Sequence, residues 1–388
     1  MPTNPTQPGV HITEVPSGMH PISGVDTSIA LILGRATEGT LNTPTLCRSY
    51  LDYEREFSGD NSLSEMSHQV KLFFSNGGSI CYVIRLPSSA QEVAVDEAGP
   101  TLAEYEAAYL IADEKIDLFN LMLLPRDAKP SQPMNHLYGP ASVFCERRRA
   151  FLLMEAPDSW TDSQTASSNI ANLRVGLVND HAAVFYPKLT INDDGKDIHI
   201  GPVGAIAGVI ARIDSTRGVW KAPAGTDASL RGVIGTQFQF SDAETDVLNP
   251  KGINTIRMLS GRVVNWGART MDGSDSFVSE YKYIPVRRLA LFIEESLSRG
   301  LKWAVFEPNN ESLWSQIRMN VIAFMHNLFR EGAFQGSTRH DAYFVKCDHE
   351  TTTQADQSLG VVNITIGFAP LKPAEFIVFT LQQVAGQS

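Results

Sequence analysis

Four cysteines in a chain of 388 residues, none placed to act with another, remove two classes of protein at once. Cys47, Cys81, Cys145 and Cys347 lie far apart with no CxxC pair, so reduced, buried thiols are expected rather than a disulfide framework or a zinc ribbon. Catalytic signatures are missing as well: the chain has no GxSxG, no HExxH, no Walker A sequence and no GxGxxG. His181, His199, His340 and His349 never fall at HxH or HxxxH spacing, which argues against a metal site. No cofactor is implied. The early apolar run 29–33 is far shorter than the ~20 residues a bilayer-spanning helix needs. The opening residues, MPTNPTQPGV, carry no basic stretch followed by an apolar core, so synthesis and folding in the cytoplasm are expected. Basic charge is scarce too. Residues 1–250 hold 18 Lys and Arg against 30 Asp and Glu, which argues against nucleic acid or an anionic membrane as partner. Residues 251–388 hold 14 against 13, a balance compatible with an acidic protein partner or with ordinary solvated surface.

What is present reads as an α/β protein of two or three domains. Pro2, Pro5, Pro8, Pro16 and Pro21 exclude helix from the first 25 residues and favour an extended arm. Within it, GVHITEV is a short strand candidate carrying Val10, Ile12 and Val15, with Val10 and Ile12 on one face. Strands are expected over 29–34 and 79–86 with a helix over 64–75 between them, then a polar linker over 87–100. Thr101 opens a helix, TLAEYEAAYLIADEK, with Glu104 completing a capping box. Strands at 119–124, 150–155 and 182–187 alternate with helices at 139–149, 166–178 and from about Pro202. Strand and helix alternate in this way in parallel sheets buried on both faces. The pattern then restarts: a strand at 256–270, a helix at 286–299, a buried strand at 301–308 (LKWAVFEP), a helix at 311–331 stopped by Gly332, and three closing strands.

Several groupings invite a sharper reading. Gly201, Gly204 and Gly208 have the wrong spacing for a pyrophosphate turn, and close packing of a helix N-terminus on a sheet suits them better. Residues 192–197 (NDDGKD) lack the ligand order and distal glutamate of a calcium loop and suit a solvated hairpin or loop turn. Arg147, Arg148 and Arg149 favour a helix C-terminus. In the late helix, Trp314, Ile317, Val321, Phe324, Met325 and Leu328 form a core stripe. Gln316, Asn320, Asn327 and Arg330 are assigned to the opposite side, as solvated surface or as a face docked on a partner. The helix at 286–299, with Arg287 and Arg288, is a competing candidate for that contact. Near the end, Phe376 and Val378 point one way while Ile377, Phe379 and Leu381 point the other. A strand apolar on both faces must be covered on both, either by the chain's own sheet or by a neighbour.

These segments together resemble the tail sheath proteins of contractile phage tails and related injection particles. PGVHITEVPSG and GVDTSIALILGRATEG are similar to the sheath N-terminus, CERRRAFLLMEAP and AGVIARIDSTRGVWKAPAG to the central domain, and residues 287–336 with the strands after them to the C-terminal domain. The resemblance implies an arm at 1–25, an N-terminal segment at 26–99 and a central subtilisin-like α/β domain without protease function at 100–252. It further implies an α+β C-terminal sheath domain at 253–370 and a C-terminal arm at 371–388. No GTSMA-like serine segment and no histidine in an HGT-like context occurs, so catalysis is not expected. The family implies a subunit stacked as six-membered rings in a helix around an inner tube protein, with baseplate and terminal cap proteins as further partners. Arms add strands to neighbouring subunits, and contraction drives the tube without ATP. Neither nucleic acid nor direct membrane insertion is implied. Such a particle is assembled in the cytoplasm and released by lysis. The chain's length resembles the compact sheaths of R-type bacteriocins and extracellular contractile injection particles. A specialised sheath paralogue near the baseplate or cap is the alternative within the family; an α/β hydrolase or nucleotide-binding enzyme is the alternative outside it.

Overall fold

A computed structural model describes residues 20–87 and 98–375. The described residues divide into a sheet unit, residues 24–87, 98–295 and 370–375, and a C-terminal unit, residues 20–23 and 296–369.

The sheet unit begins with β1 (Ala30–Gly34), β2 (Pro44–Cys47), α1 (Tyr50–Phe57), α2 (Met66–Asn76) and β3 (Cys81–Arg85). It continues through α3 (Leu102–Lys115), β4 (Leu121–Leu123), α4 (Met134–Arg147), β5 (Phe151–Glu155), α5 (Ser163–Arg174) and β6 (Ala182–Tyr186). A hairpin of β7 (Leu189–Asp193) and β8 (Lys196–Ile200) follows, then α6 (Val203–Arg217), the short β9 (Gly235–Thr236) and α7 (Asp242–Leu248). The unit's last strands are β10 (Ile253–Leu259) and β11 (Arg262–Asn265), and α8 (Ile284–Gly300) starts in this unit. Eight strands form one sheet in the order β11-β10-β6-β5-β4-β1-β3-β2. The run from β3 to β10 is parallel, and β2 and β11 close the two edges antiparallel.

The alternation along each strand explains the two layers of core. Ala30, Ile32, Val83, Leu121, Phe151, Leu153 and Phe185 face α1, α2 and α6. Leu31, Leu33, Ile84, Met122, Leu152, Met154 and Val184 face α3, α4, α5 and α7. A strand apolar at every position has nowhere to go but the middle of such a sandwich, which is why ALILG and AAVFY are fully buried. The helices begin where the side chains can satisfy free amides. Thr101 and Glu104 make the expected capping box on α3, and Asp162 with Thr165 makes one on α5 that moves its start forward to Ser163. Helix α4 starts at Met134 rather than at the expected 139, because burial of Leu137 and Tyr138 carries the helix through Pro140.

Gly204 and Gly208 pack α6 on a helix, α2, and not on the sheet as expected. A Cβ at Gly204 would lie 2.2 Å from the Gln69 carbonyl oxygen, and one at Gly208 2.4 Å from that of Phe73. Residues 192–197 form the β7–β8 turn, with Asp194 and Gly195 both at positive φ (46° and 83°), the signature of a tight two-residue hairpin. The single strand expected at 256–270 is instead the β10–β11 hairpin, turned at Ser260 and Gly261 by the same positive-φ pair (48° and 76°).

The C-terminal unit is built on α9 (Glu311–Arg330), α10 (Arg339–Ala342), β12 (Tyr343–Lys346), α11 (Gln354–Ser358) and β13 (Thr365–Phe368). Leu313, Trp314, Ile317, Val321, Phe324, Met325 and Leu328 are the buried stripe of α9, and Phe334 packs between Tyr343 and Phe368. The strand expected at 301–308 is absent: Lys302–Ala304 is a single 3-10 turn, and Phe306 follows at φ 72° with its side chain fully exposed. Strands from 26–99, 100–252 and 253–265 share one sheet, and the compact units part at 295/296 and 369/370.

Candidate interaction surfaces

The polar residues singled out on α9 do not share one face. Asn327 and Arg330 are exposed and Gln316 is half-buried, but Asn320 is 4% exposed and its amide nitrogen has no hydrogen-bond partner. Asn320 sits three residues after Ile317 and four before Phe324, so helical geometry places it on the flank of the core stripe whatever its polarity. The outward face is made by Met319, Ala323, His326, Asn327 and Arg330.

The rival candidates on α8 are not surface groups. Arg288 forks onto Asp214, with Nη1 donating to Oδ1 at 2.9 Å and Nη2 to Oδ2 at 2.6 Å, and also donates to the Thr27 carbonyl. Both charged side chains of that pair are 4% exposed. Arg287 is 3.4 Å from Asp180, stacks on the Tyr281 ring and donates to His181 Nε2 at 2.8 Å. These arginines fix the first turn of α8 inside the sheet unit. The Arg147–Arg149 run is engaged in the same way. Arg147 and Arg148 pair with Asp113, Arg148 also donates to the carbonyls of Ala112 and Ile116 at the end of α3, and Arg149 reaches Glu295.

The strand candidates Val10, Ile12 and Val15, and likewise Phe376, Ile377, Val378, Phe379 and Leu381, lie outside the described residues. The residues adjoining them are described. His20 stacks on Trp303 with ring centroids 4.1 Å apart. Glu375 is held by Arg269. In the C-terminal unit β12 and β13 pair antiparallel, and only with each other among the described residues. A groove of about 1040 Å³ between α3, α4 and the end of α5 exposes Leu110, Val143 and Val175 around a Tyr109–Phe144 stack.

The titratable groups that cluster are arranged for packing. At the C-terminal end of the parallel strands, Glu155 is 2% exposed and neither carboxylate oxygen has a hydrogen-bond partner; Arg126 Nε stands 3.5 Å away. Burial, with the Glu65 carboxylate beside it, pushes Glu155 up to about 8, and burial pushes Glu65 up as well. Asp180 and His181 form a carboxylate–imidazole pair 2.9 Å apart, but the second ring nitrogen faces the Arg287 guanidinium instead of a hydroxyl or thiol to activate. All four thiols are buried and unbridged, and burial holds Cys145 and Cys347 above the ordinary thiol range. Among the described residues no three His, Cys, Asp or Glu side chains come close enough to hold a metal ion. No helix among them is long and apolar enough to cross a membrane.

The phage tail sheath central domain matches residues 105–271, and the phage tail sheath C-terminal domain matches residues 278–384. A chain of the anti-feeding prophage (AFP) baseplate is 27% identical, with 98% of this chain and 100% of that one covered at a TM-score of 0.75. The AFP helical sheath in its contracted state is 27% identical over 98% and 100%, with a TM-score of 0.76. The contracted sheath complex of the extracellular contractile injection system PVC is 26% identical over 98% and 99%, also at 0.76. The curated tail sheath protein of Vibrio phage KVP40 is 29% identical over 127 residues, which is 32% of this chain but 18% of that longer protein. Two adjoining sheath-domain matches and a likeness to sheath chains over nearly the whole length agree: this chain belongs to the tail sheath family of contractile injection systems.

Proposed function

We propose that the chain polymerises as stacked six-membered rings around an inner tube and contracts to drive that tube through a target envelope without consuming nucleotide. The observation that carries this reading is the match over 98% of the chain to sheath chains in two contracted assemblies. The sheet unit acts as a subtilisin-like body without protease function. Residues 1–25 and 371–388 serve as arms that add strands to neighbouring subunits, for which the outer edges of β12 and β13, unpaired among the described residues, are suited acceptors. Contacts that repeat without closing build a helix, and shared strands keep it connected while side-chain interfaces repack. The tube contact falls on the outward face of α9, with Asn327 and Arg330 on it and Asn320 excluded by burial. Baseplate and cap proteins terminate the polymer, which assembles in the cytoplasm and leaves by lysis.

Negative-stain microscopy of the purified chain, with and without its tube protein, tests the reading. Long tubes of uniform width are expected, shortening on triggering in nucleotide-free buffer. A chain that stays monomeric or dimeric by light scattering in every condition overturns it. A second reading has its own support, since AFP baseplate chains are also matched: a specialised ring next to the baseplate. Short stacks confined to one end of the particle would select that role over the trunk.

A further inference from the structure

We propose that Arg269 is a socket for Glu375, and that this clamp anchors the C-terminal arm in the sheet unit, so that tension in the arm is delivered to the parallel sheet. The inference rests on the reading of residues 376–388 as a linking arm.

Most contacts that hold Arg269 come from residues other than Glu375. Arg269 is a fully buried side chain, 1% exposed, and its backbone is gripped on both sides by Asn254 of β10. The Arg269 amide donates to Asn254 Oδ1 at 2.7 Å, while Asn254 Nδ2 donates to the Arg269 carbonyl at 2.7 Å and to that of Val184 in β6 at 3.0 Å. One end of the guanidinium is fixed by its own loop, with Nη1 donating to the Gly273 carbonyl at 3.1 Å and to Asp275 Oδ1 at 2.9 Å. Asp275 is itself held by Lys282. The loop is tight at this point: a Cβ on Gly273 would lie 2.7 Å from two carbonyl oxygens.

The remaining fork faces Glu375. Nε donates to Oε1 at 2.8 Å and Nη2 to Oε2 at 2.6 Å, and the Tyr283 hydroxyl donates to Oε2 at 3.2 Å. Two parallel charge-assisted bonds are strong and fix direction as well as distance. Without Glu375 the buried guanidinium would keep only the half-exposed Asp275 as counter-charge, so the socket favours its occupant. Glu375 is the last described residue before the 13-residue segment 376–388. The route from arm to core is therefore short: Glu375, Arg269, Asn254, then the β10–β6 pair. Asp275 touches the same guanidinium but is 47% exposed and lies on the loop, off this route.

The test uses full-length chains carrying E375Q, the uncharged pair R269Q/E375Q, or E280Q at an exposed position of the same loop, beside wild type and a chain ending at Glu375. The four native thiols are buried, so a nitroxide attached through A374C sits at one exposed site, and its mobility in the unpolymerised subunit reads the clamp alone. Sheath length by negative stain reads its mechanical use. The pair variant guards against misfolding of E375Q, because Asp275 keeps Lys282 as its partner. The immobilised fraction of the label should be lost in E375Q and in the pair variant, as loss of the charge-assisted bonds requires, and their sheaths should fragment. E280Q should match wild type in both measurements. Wild-type label mobility in E375Q and the pair variant overturns the clamp, and so does fragmentation of E280Q sheaths to the same extent as E375Q. Normal sheaths from the chain ending at Glu375 would overturn the arm reading instead, leaving the label mobility to judge the clamp.

Discussion

In the sheet unit, parallel strands are covered on both faces by helices, the outer strands are short and antiparallel, and the buried arginines at 269, 287 and 288 all meet carboxylates. In the C-terminal unit, two short strands pair only with each other among the described residues, Phe306 stands fully in solvent, Leu359 and Val305 are largely exposed, and buried Asn320 leaves an amide nitrogen unpartnered. The sheet unit covers its strands on both faces with its own helices, although buried polar atoms such as both Glu155 oxygens lack partners there too and Val278 is fully exposed. On the proposed reading, this difference in strand cover separates a portion that stays rigid from a portion that accepts neighbours.

The contrast can be broken experimentally, and the largest effect belongs in the sheet unit. Replacing Gly208 by valine puts a side chain where a Cβ alone would already lie 2.4 Å from the Phe73 carbonyl oxygen. A loss of at least about 4 kcal/mol is expected, seen as insoluble chain or a collapsed thermal transition. Removing Arg288 should cost roughly 3–5 kcal/mol by stranding buried Asp214, with D214L added to R288M restoring much of it, as read by urea titration.

A smaller, pH-dependent effect is expected at Glu155, which sits among Glu65, Arg126, Lys188 and Tyr138. Its carboxyl titrates near 8 in the folded chain against an ordinary 4.5. The folded state thus holds the proton more tightly than the unfolded state. The stabilisation is complete below about pH 4.5 and is lost as pH rises through 8. E155Q should therefore be roughly 1–3 kcal/mol more stable than wild type at pH 9, with a flatter melting profile between pH 6 and 9. A wild-type profile equally flat there would show that Glu155 is ionised throughout. The smallest effect on folding, within about 0.5 kcal/mol, is expected for F306S in the C-terminal unit. Polymerisation, followed by light scattering, should nevertheless weaken. A large drop in melting temperature would place Phe306 in the subunit's own core and erase the contrast.

The same contrast explains what could be read from residues alone. The apolar runs of β1, β3, β5 and β6 admit few other fates, and Thr101 with Glu104 marks a helix start by chemistry that is local. The α9 stripe was legible because a 20-residue helix repeats its pattern often enough to average out exceptions. Asn320 is such an exception: polarity suggested solvent, and only its angular position says core. Residues 301–308 misled for the opposite reason. LKWAVFEP has strand composition, and within the subunit its Val305 and Phe306 find no cover. The small strands β2 and β9, two to four residues of mixed polarity, carry too little periodic signal to be read, whereas NDDGKD marks the turn of the β7–β8 hairpin. The Arg269 socket leaves no trace in spacing, since its parts lie at 254, 269, 275, 283 and 375.

Glycines 204 and 208 let α6 and α2 touch backbone to backbone, with no layer of side chains between them. In engineering terms the two helices are laminated, and a laminate without filler has little compliance in shear. A body built this way can be turned as a whole and will transmit a push without absorbing it. Glycine here sets the stiffness of the part, a quantity no catalytic motif describes.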